Sequence, residues 1–496
     1  MKQESITIKN CAAGRLRASS LRAVFALALM RIIIPFYTAV AAETSAGFLF
    51  DQFRLTLEEG GRTEAAGPFY YSQQTDSESI WAIPPFYSRD CNPSVEFYED
   101  DFLYPLVTSI RYGQEQRWQF CQLISTSTGR DPEATDTRRL TLFPFYFQQR
   151  SADTNLNYTA VVPFYGRLKN RLFHDEMYFI MFPVFGETRK RDVVTDNYFY
   201  PLAHVRHGDG LKGWQVWPFA GREHKDVTTQ TNGFGDTALI GGHDQSFYFW
   251  PFYFSQNNGI GTDNPEKFRA SIPFFAINRS PQRDSTSVIW PFFASIDDRA
   301  KKYHEWQGPW PLVIFARGEG KHTSRIFPLF SESRNGVKES DSCLWPLYAF
   351  RRTLAAPLDQ QRTRVLIYLY SSLTEKNTGT GAEKARLDLW PFFTWHRDFN
   401  GNERLQILAP LEPAVPDNRG IEHNWSPLWS LWRAEDNRKT GAGSRSFLWN
   451  LYRRETAPEH KKVSLLFGLF QYQSLKETEQ MKLFYFTVFQ TPPPKK

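Results

Sequence analysis

The chain has 496 residues, with 59 basic and 53 acidic side chains and a formal net charge of +6. Charges of both signs are intermixed along the sequence, which excludes the clustered basic stripe of a nucleic-acid-binding protein. Aromatic residues make up 16 % of the chain although its mean hydropathy is negative, so apolar side chains are concentrated in short segments between polar ones. This distribution is typical of strands and turns, and it predicts an all-β protein.

The first 42 residues differ from the rest and predict a secretory signal peptide. Five basic residues precede an apolar run from Ala23 to Met30, and small residues follow at Ala39-Val40-Ala41-Ala42. A basic region, an apolar run and a small-residue cleavage site in this order are the signature of such a peptide. The alternative interpretation is a retained N-terminal membrane anchor.

A proline flanked by aromatic residues recurs along the remaining chain. The prolines at positions 144, 163, 183 and 201 lie 19, 20 and 18 residues apart. A period of this size indicates a repeat architecture, so residues 43–489 are predicted to form a single β-repeat domain, followed by a flexible tail over residues 490–496. The residues that define the repeat most clearly are Trp217, Pro218, Trp250, Pro251, Trp290, Pro291, Trp345, Pro346, Trp390 and Pro391.

Each repeat is interpreted as one strand of about ten to twelve residues followed by a polar turn. Ser287 to Ile296 forms such an apolar, β-branched and aromatic segment, and the charged turn 297–302 follows it. Short turns make successive strands antiparallel neighbours. The sequence therefore predicts an antiparallel up-and-down repeat of about 22 strands. A closed β-barrel is the leading arrangement, and an open curved sheet or stacked sheets are the alternatives.

Signal peptide, repeat and strand length together resemble the outer-membrane β-barrel class of Gram-negative bacteria. A tilted transmembrane strand needs about nine to eleven residues, and about twenty residues per strand and loop are typical of such barrels. The alternating segment from Lys482 to Phe489 resembles the C-terminal signal read by the barrel-assembly machinery. The resemblance implies a place in the outer membrane, with lipid and that machinery as partners. An open sheet with an apolar groove would instead resemble envelope proteins that bridge lipid between membranes.

The prolines conflict with the simplest barrel. A proline in mid-strand removes a ladder hydrogen bond, so each one is expected to bend a strand, lie in a bulge or start a strand. Around Trp250-Pro251-Phe252 both faces of the predicted strand are apolar. A wide porin needs a polar inward face. The expectation is therefore a lumen filled by aromatic residues, or one of the open or stacked arrangements.

No motif in the sequence indicates a reaction or a cofactor. Phosphate-binding loops, zinc-protease motifs and nucleophile elbows are absent from the sequence. His204 and His207, with Asp209 nearby, are the closest histidine pair, and a turn explains them as well as a metal site would. We predict no catalytic, cofactor-binding or metal-binding residue and no enzymatic activity. Cys91, Cys121 and Cys343 are expected to be unpaired thiols.

One interruption of the repeat predicts an inserted loop over residues 223–245. Pro218 and Pro251 lie 33 residues apart, and the segment between them is polar and rich in glycine. Insertions in repeat proteins map to loops, often on the binding face. The candidate partner or ligand residues of this loop are Asn232, Phe234, Asp236, His243 and Asp244. A disordered insert is the alternative interpretation.

The function predicted from these features is that of an outer-membrane-associated β-barrel that passes or holds apolar or amphiphilic material, such as lipid or a small molecule. The competing hypothesis is a soluble secreted or periplasmic β-repeat scaffold that binds glycans or proteins through aromatic surfaces. For any single aromatic residue, a structural role in a core or a membrane girdle is favoured over ligand contact.

Overall fold

The structure is a computed structural model that describes residues 47–130, 136–231, 235, 237–476 and 478–491. The predicted signal peptide, residues 1–42, and residues 492–496 of the predicted tail lie outside this part of the chain. The described residues form two compact units. The terminal unit contains the residues up to Gly113 and those from Arg419 onward, and the central unit contains residues 114–418. No described helix is long and apolar enough to cross a membrane.

The strands follow one another with few other elements between them. The first seven are β1 Asp51–Arg54, β2 Gly60–Ala65, β3 Tyr70–Thr75, β4 Ser79–Ile83, β5 Tyr87–Asn92, β6 Phe97–Phe102 and β7 Val107–Tyr112. The next fifteen are β8 Glu115–Phe120, β9 Ile124–Arg130, β10 Asp136–Leu142, β11 Tyr146–Ser151, β12 Tyr158–Val161, β13 Tyr165–Arg171, β14 His174–Ile180, β15 Phe185–Lys190, β16 Val193–Tyr198, β17 Ala203–Gly208, β18 Leu211–Val216, β19 Ala220–Lys225, β20 Thr228–Thr231, β21 Thr237–Ile240 and β22 Gly242–Tyr248.

The remaining elements complete the central unit and return to the terminal unit. The central strands are β23 Tyr253–Ile260, β24 Glu266–Ser271, β25 Phe275–Arg279, β26 Arg283–Val288, β27 Phe293–Asp298, β28 Tyr303–Gln307, β29 Val313–Gly318, β30 His322–Ile326, β31 Phe330–Asn335, β32 Lys338–Cys343, β33 Tyr348–Ala355, β34 Leu358–Val365, β35 Tyr370–Asn377, β36 Glu383–Leu389, β37 Phe393–Arg397 and β38 Glu403–Ile407. The terminal unit continues with α1 Arg419–Asn424, α2 Ser426–Trp429, β39 Trp432–Asn437, β40 Ala442–Phe447, β41 Tyr452–Ala457, β42 His460–Leu465, β43 Phe470–Leu475, β44 Thr478–Leu483 and β45 Phe486–Gln490. Short 3-10 helices span Gly47–Leu49, Gly67–Phe69, Pro93–Val95 and Thr154–Leu156.

Strands pair antiparallel with their neighbours along the chain. In the central unit this meander runs from β8 to β19 and from β22 to β38, and β19 pairs with β22. The hairpin β20–β21 lies outside this ladder, and its two strands pair with each other. The terminal unit contains one run from β1 to β7 and another from β39 to β45. The all-β, antiparallel, up-and-down prediction is confirmed.

The predicted length and number of strands are wrong. Each repeat of about nineteen residues contains two strands of four to eight residues, because the proline-aromatic segment is itself a turn. The segment Ser287 to Ile296, for example, contains the end of β26, the turn 289–292 and the start of β27. The described residues accordingly form about 45 strands rather than 22.

The predicted closed barrel is also wrong. Among the described residues, β1 pairs with β2 and β45 pairs with β44, so the first and last strands do not close the ladder. The start and the end of the terminal unit are in contact through side chains instead. The ring of Phe48, which precedes β1, packs edge-on against the ring of Phe467, which follows β42, with centroids 5.3 Å apart. Strand β45 is left as an exposed edge.

The prolines lie between strands, and the expectation that they bend, bulge or start strands is therefore wrong. In a typical turn the peptide bond before the proline is cis, as in Tyr200-Pro201, and Leu202 N–H donates to Phe199 O at 2.8 Å. This is a type VI turn, which has a cis-proline in its third position. Since the proline is in the turn, its missing N–H removes no hydrogen bond from the ladder.

The two faces of the central sheet differ in side-chain size. The second residue after a proline-aromatic turn is often small, and these residues share one face, here called the small-residue face. Members include Ala276, Ala294, Ser331 and Ala349, of which the first three are buried. The first residue after the same turns is aromatic and lies on the opposite, aromatic face, because successive strand residues alternate.

A small hydrophobic core lies early in the central unit. Phe147, Tyr158, Leu168 and Phe179, contributed by β11 to β14, are buried around Ala160. Neighbouring strands approach closely here because small residues face one another: Ala160 pairs with Gly166.

We predict that Gly166→Ala destabilises the protein. A Cβ at position 166 would lie 2.3 Å from Ala160 Cβ and 2.8 Å from the Phe179 ring, so neighbouring backbone would have to move. Overpacking of this kind costs about 1–3 kcal/mol. The measurement is the midpoint of thermal unfolding. Gly336→Ala is the control, because a Cβ there meets nothing within 4 Å. Equal midpoints for the two variants would contradict the packing described.

Candidate functional surface

The proline-aromatic turns of the central unit all lie along one edge of the meander. Antiparallel strands alternate in direction, so every second turn of the chain comes to the same edge. Successive proline-aromatic turns are separated by two strands and one other turn, and they therefore share an edge. This aromatic edge consists of residues 121–123, 143–145, 162–164, 181–184, 199–202, 217–219, 249–252, 272–274, 289–292, 308–312, 327–329, 344–347, 366–369 and 390–392. It includes all ten residues that define the repeat.

Large apolar side chains of the aromatic edge are exposed to solvent. The exposed fraction is 69 % for Phe274, 60 % for Phe392 and 56 % for Phe252. These rings are therefore not part of a buried core, whereas the sequence favours a structural role in a core or in a membrane girdle for each aromatic residue. Contiguous apolar surface of this kind marks interaction sites for proteins, membranes or ligands.

Hydrogen bonds join neighbouring turns of the edge. The residue before one proline donates its N–H to a carbonyl of the preceding turn: Tyr200 N to Pro183 O at 2.7 Å, Trp250 N to Pro218 O at 2.6 Å and Trp345 N to Pro328 O at 2.8 Å. Ring contacts follow the same line, since the Phe182 and Tyr200 rings lie 5.7 Å apart, as do Trp217 and Trp250 at 5.6 Å. The ladder therefore continues through the turns, and the exposed rings are held in fixed positions.

The first residue of many of these turns adopts a left-handed backbone conformation although it is large and apolar. Large apolar residues of the aromatic edge with φ between 46° and 50° and exposed side chains are Met181, Phe199, Phe249, Ile289, Leu344 and Leu366. Glycine adopts this conformation without steric cost, whereas other residues lose about 1–2 kcal/mol each. Folding alone would favour glycine here. The large side chains are consistent with a role of the surface itself.

The opposite edge of the central unit is polar. Its turns include Asp209-Gly210, Arg299 to Lys302 and Glu319 to Lys321, with ion pairs such as Lys302 Nζ to Glu319 Oε2 at 2.9 Å. The strands between these turns and the aromatic edge, such as β27 and β28, therefore have an apolar end and a charged end.

Residues of the predicted binding loop are divided between strand β22 and the undescribed part of the chain. Asn232, Phe234 and Asp236 lie outside the described residues. His243 and Asp244 belong to β22, within the main ladder. His243 Nε2 lies 2.7 Å from Glu223 Oε1, and His224 Nδ1 lies 2.5 Å from Asp244 Oδ1. The structure thus gives these two residues partners on the adjacent strand β19.

Other residues singled out by the sequence do not converge on a site. His204 and His207 lie on opposite faces of β17, since they are three positions apart in an alternating strand, and Asp209 pairs with Lys225 at 3.1 Å. Within the described chain no group of histidine, cysteine and carboxylate side chains is arranged to hold a metal ion. Cys91, Cys121 and Cys343 form no disulfide with one another, as predicted.

A second candidate site lies in the terminal unit, where α1 covers the strands β4 to β6. Arg419 donates to Asp90 Oδ2 at 3.1 Å and to Glu78 Oε1 at 3.0 Å. Asn424, which is fully buried, donates to Ser88 Oγ at 2.8 Å. No pattern in the sequence indicates this cluster, because Asp90 belongs to β5, Asp101 belongs to β6, and α1 follows them by more than 300 residues along the chain.

Burial and repulsion within this cluster oppose ionisation of Glu99 and Asp90. Burial raises the pKa of Glu99 to about 7, with repulsion from Asp101 adding to the effect and Arg419 opposing it. Burial likewise raises the pKa of Asp90, and repulsion from Glu78 contributes, again against Arg419. The oxygen Oδ1 of Asp90 is buried without a hydrogen-bond partner.

No protein-family model matches this chain, and no curated protein matches it. The two candidate sites described above are therefore the basis for assigning a function.

We predict that Glu99 makes the stability of the terminal unit depend on pH. A carboxyl group whose pKa is raised on folding stabilises the fold fully below its unfolded pKa, near 4.5, and loses that contribution as the pH rises through about 7. The free energy of unfolding should therefore fall between pH 5 and pH 8, by about 1–2 kcal/mol after allowance for solvent screening. The measurement is urea denaturation at several pH values.

The variant Glu99→Gln should flatten this dependence, because it removes the titrating group. Glu96→Gln, which removes one negative charge at an exposed position of the same unit, is the control. If Glu99→Gln and the wild type had the same pH dependence, the role assigned to Glu99 would be wrong.

Proposed function

We propose that the protein is associated with the outer membrane of the cell envelope and holds amphiphilic lipid against its aromatic edge. The observation that carries this proposal is the line of exposed apolar residues, several of them in a left-handed conformation, at one edge of a sheet whose opposite edge carries charged turns. The predicted signal peptide supports a place in the envelope.

The side chains of a single hairpin support insertion of the edge into a membrane surface. On the aromatic face of β26 and β27, Val288 pairs with Phe293 beside the turn, Thr286 pairs with Ser295 in the middle, and Asp284 lies at the polar end. Polarity thus rises along the strand, away from the aromatic edge. An amphipathic surface of this kind lies in the membrane interface with its apolar part buried about 5–10 Å.

Strand length favours this arrangement over a transmembrane one. A transmembrane strand needs about nine to eleven residues, and the described strands have four to eight. At about 3.3 Å per residue, six residues extend roughly 20 Å, less than the hydrocarbon thickness of about 30 Å. The proposal is therefore a membrane-attached protein whose apolar turns enter one leaflet.

A soluble scaffold that binds glycans is the second candidate function, and one observation favours it. The Trp306 and Phe315 rings lie nearly parallel on the aromatic face, with centroids 6.1 Å apart, and Trp306 is half exposed. Exposed rings of this kind can stack on sugar rings. Sugar binding without any affinity for vesicles would favour this candidate.

We predict that the variant Phe199→Gly/Phe249→Gly binds phosphatidylcholine vesicles roughly 10- to 30-fold more weakly than the wild type. Two exposed apolar rings of the aromatic edge would be lost from the interface. Glycine relieves the left-handed backbone at both positions, so the midpoint of thermal unfolding should not fall substantially. Vesicle flotation measures the binding.

Leu172→Gly/Phe173→Gly is the matched control for this experiment. Both residues are exposed, apolar and left-handed, but they lie in the turn between β13 and β14, at the polar edge. This variant should bind vesicles as the wild type does. Failure of the wild type to bind vesicles, or equal loss of binding in the two variants, would overturn the proposal.

A further inference from the structure

Arginine side chains form a basic patch on the small-residue face of β33, β34 and their neighbours. Arg351 lies directly opposite Arg362 in the ladder, and Arg364 lies two residues further along β34 on the same face. The row of directly opposite residues that contains Arg351 and Arg362 continues across the next strands through Leu373 to Arg386, and then through His396 to Arg404. The neighbours of Arg364 in its own row are Ala349 and Ser371, which leave space around its side chain.

Arg386 is committed to structural contacts. It is buried, it lies 2.9 Å from Asp388 Oδ2, and it donates to the carbonyl of Glu412 at 2.6 Å. It also pairs with Asp417 at 3.2 Å. This arginine fastens the segment 408–417 over β36 to β38 and is not available to a ligand.

Arg351, Arg362 and Arg364 differ from Arg386 because no described carboxylate lies within ion-pair distance of them. The Nε of Arg362 is buried without a hydrogen-bond partner, whereas Arg351 and Arg364 are exposed. The nearby carboxylates have other partners: Asp388 is held by Arg386 and by the Thr394 hydroxyl at 2.6 Å. Glu375 likewise accepts a hydrogen bond from Gln360 at 2.7 Å.

The electrostatic consequence is a local excess of positive charge. The pKa of Arg362 is lowered first by burial and then by Arg364 and Arg386, while Asp388 opposes the shift only in part. Burial together with Arg386, Arg404 and Lys384 lowers the pKa of His396 to about 3, so its imidazole stays neutral. Like charges placed opposite each other destabilise a sheet, and a buried unpaired N–H adds to that cost. Folding alone therefore does not explain the patch.

We propose that Arg351, Arg362 and Arg364 bind the phosphate of an anionic lipid headgroup. This inference depends on the proposed attachment to a membrane. Arginine presents a planar fork of N–H donors that matches phosphate oxygens in bidentate geometry. Arg364 and Arg362 are the second and fourth residues before the aromatic-edge turn 366–369, which places them roughly 7 and 13 Å from it along the strand. These distances place both arginines at the level of the lipid headgroups when the turn is inserted at the boundary between headgroups and acyl chains.

The test compares vesicles of phosphatidylcholine with vesicles that contain 30 mol % phosphatidylglycerol. The wild type should bind the anionic vesicles more tightly, and Arg351→Gln/Arg362→Gln/Arg364→Gln should lose roughly 30-fold or more of that affinity while keeping its affinity for phosphatidylcholine. Added salt should weaken only the part of the vesicle affinity that depends on these arginines. Lys190→Gln/Lys212→Gln/Lys301→Gln is the matched control, since it removes the same charge from other exposed positions of the central unit and should bind as the wild type does.

Each outcome decides between the proposals. Equal binding of the wild type to both vesicles, or equal loss of anionic binding in the arginine and lysine variants, overturns the headgroup site but leaves membrane attachment intact. Absence of binding to either vesicle overturns both. Calorimetric titration with inorganic phosphate distinguishes a lipid headgroup from free phosphate as the ligand. Arginine-dependent phosphate binding without vesicle binding would show that the ligand is free phosphate and not a lipid.

Discussion

The hydrogen bond between successive proline turns is the interaction on which the central unit depends. A sheet of short strands exposes many turns, and turns are usually where pairing ends. Here the residue before a proline donates to a carbonyl of the preceding turn, as Tyr200 does to Pro183 and Trp345 to Pro328. Pairing therefore continues around the turn, and a proline costs the ladder nothing because its nitrogen is not needed as a donor.

The continuity of these turns produces the aromatic edge. Since two strands separate consecutive proline turns, all of them return to the same side of the meander, and their side chains form one surface instead of two. Rings such as Phe182 and Tyr200 then lie in contact from turn to turn. The left-handed residues Phe199 and Phe249 extend the same surface toward solvent. The edge is thus a direct product of the repeat, whereas the basic patch is confined to a few neighbouring strands.

The carboxyl cluster of the terminal unit and the basic patch of the central unit have a common physical feature. Both place groups of like charge close together: carboxyl groups beneath α1 in one case, guanidinium groups on β33 and β34 in the other. The carboxyl groups respond by favouring their neutral form, as the raised pKa of Glu99 indicates. Arginine does not have this option at physiological pH, and in our proposal the headgroup phosphate supplies the opposite charge.

Much of the fold could be predicted, and the errors have one physical origin. The repeat, the all-β class and the antiparallel order follow from the spacing of Trp-Pro motifs and polar turns. Placing the proline in the middle of a strand doubles the predicted strand length, halves the predicted strand number and favours a closed barrel. Asn335-Gly336, a turn signal midway between Pro328 and Pro346, already indicated that a second turn divides each repeat.

The sequence by itself determined the period, the strand-forming segments and the concentration of aromatic residues beside proline, because these depend on local backbone preferences and on side-chain alternation. Only the tertiary structure decided that these prolines are in turns, that their aromatic neighbours share one exposed edge, and that Arg351, Arg362 and Arg364 meet on one face. The reason is that strand pairing decides which residues become neighbours: the pairing register sets which residues lie opposite each other, and the number of strands between turns sets which turns share an edge. Contacts such as that of α1 with Asp90 also join distant parts of the chain. Local patterns do not specify either kind of contact.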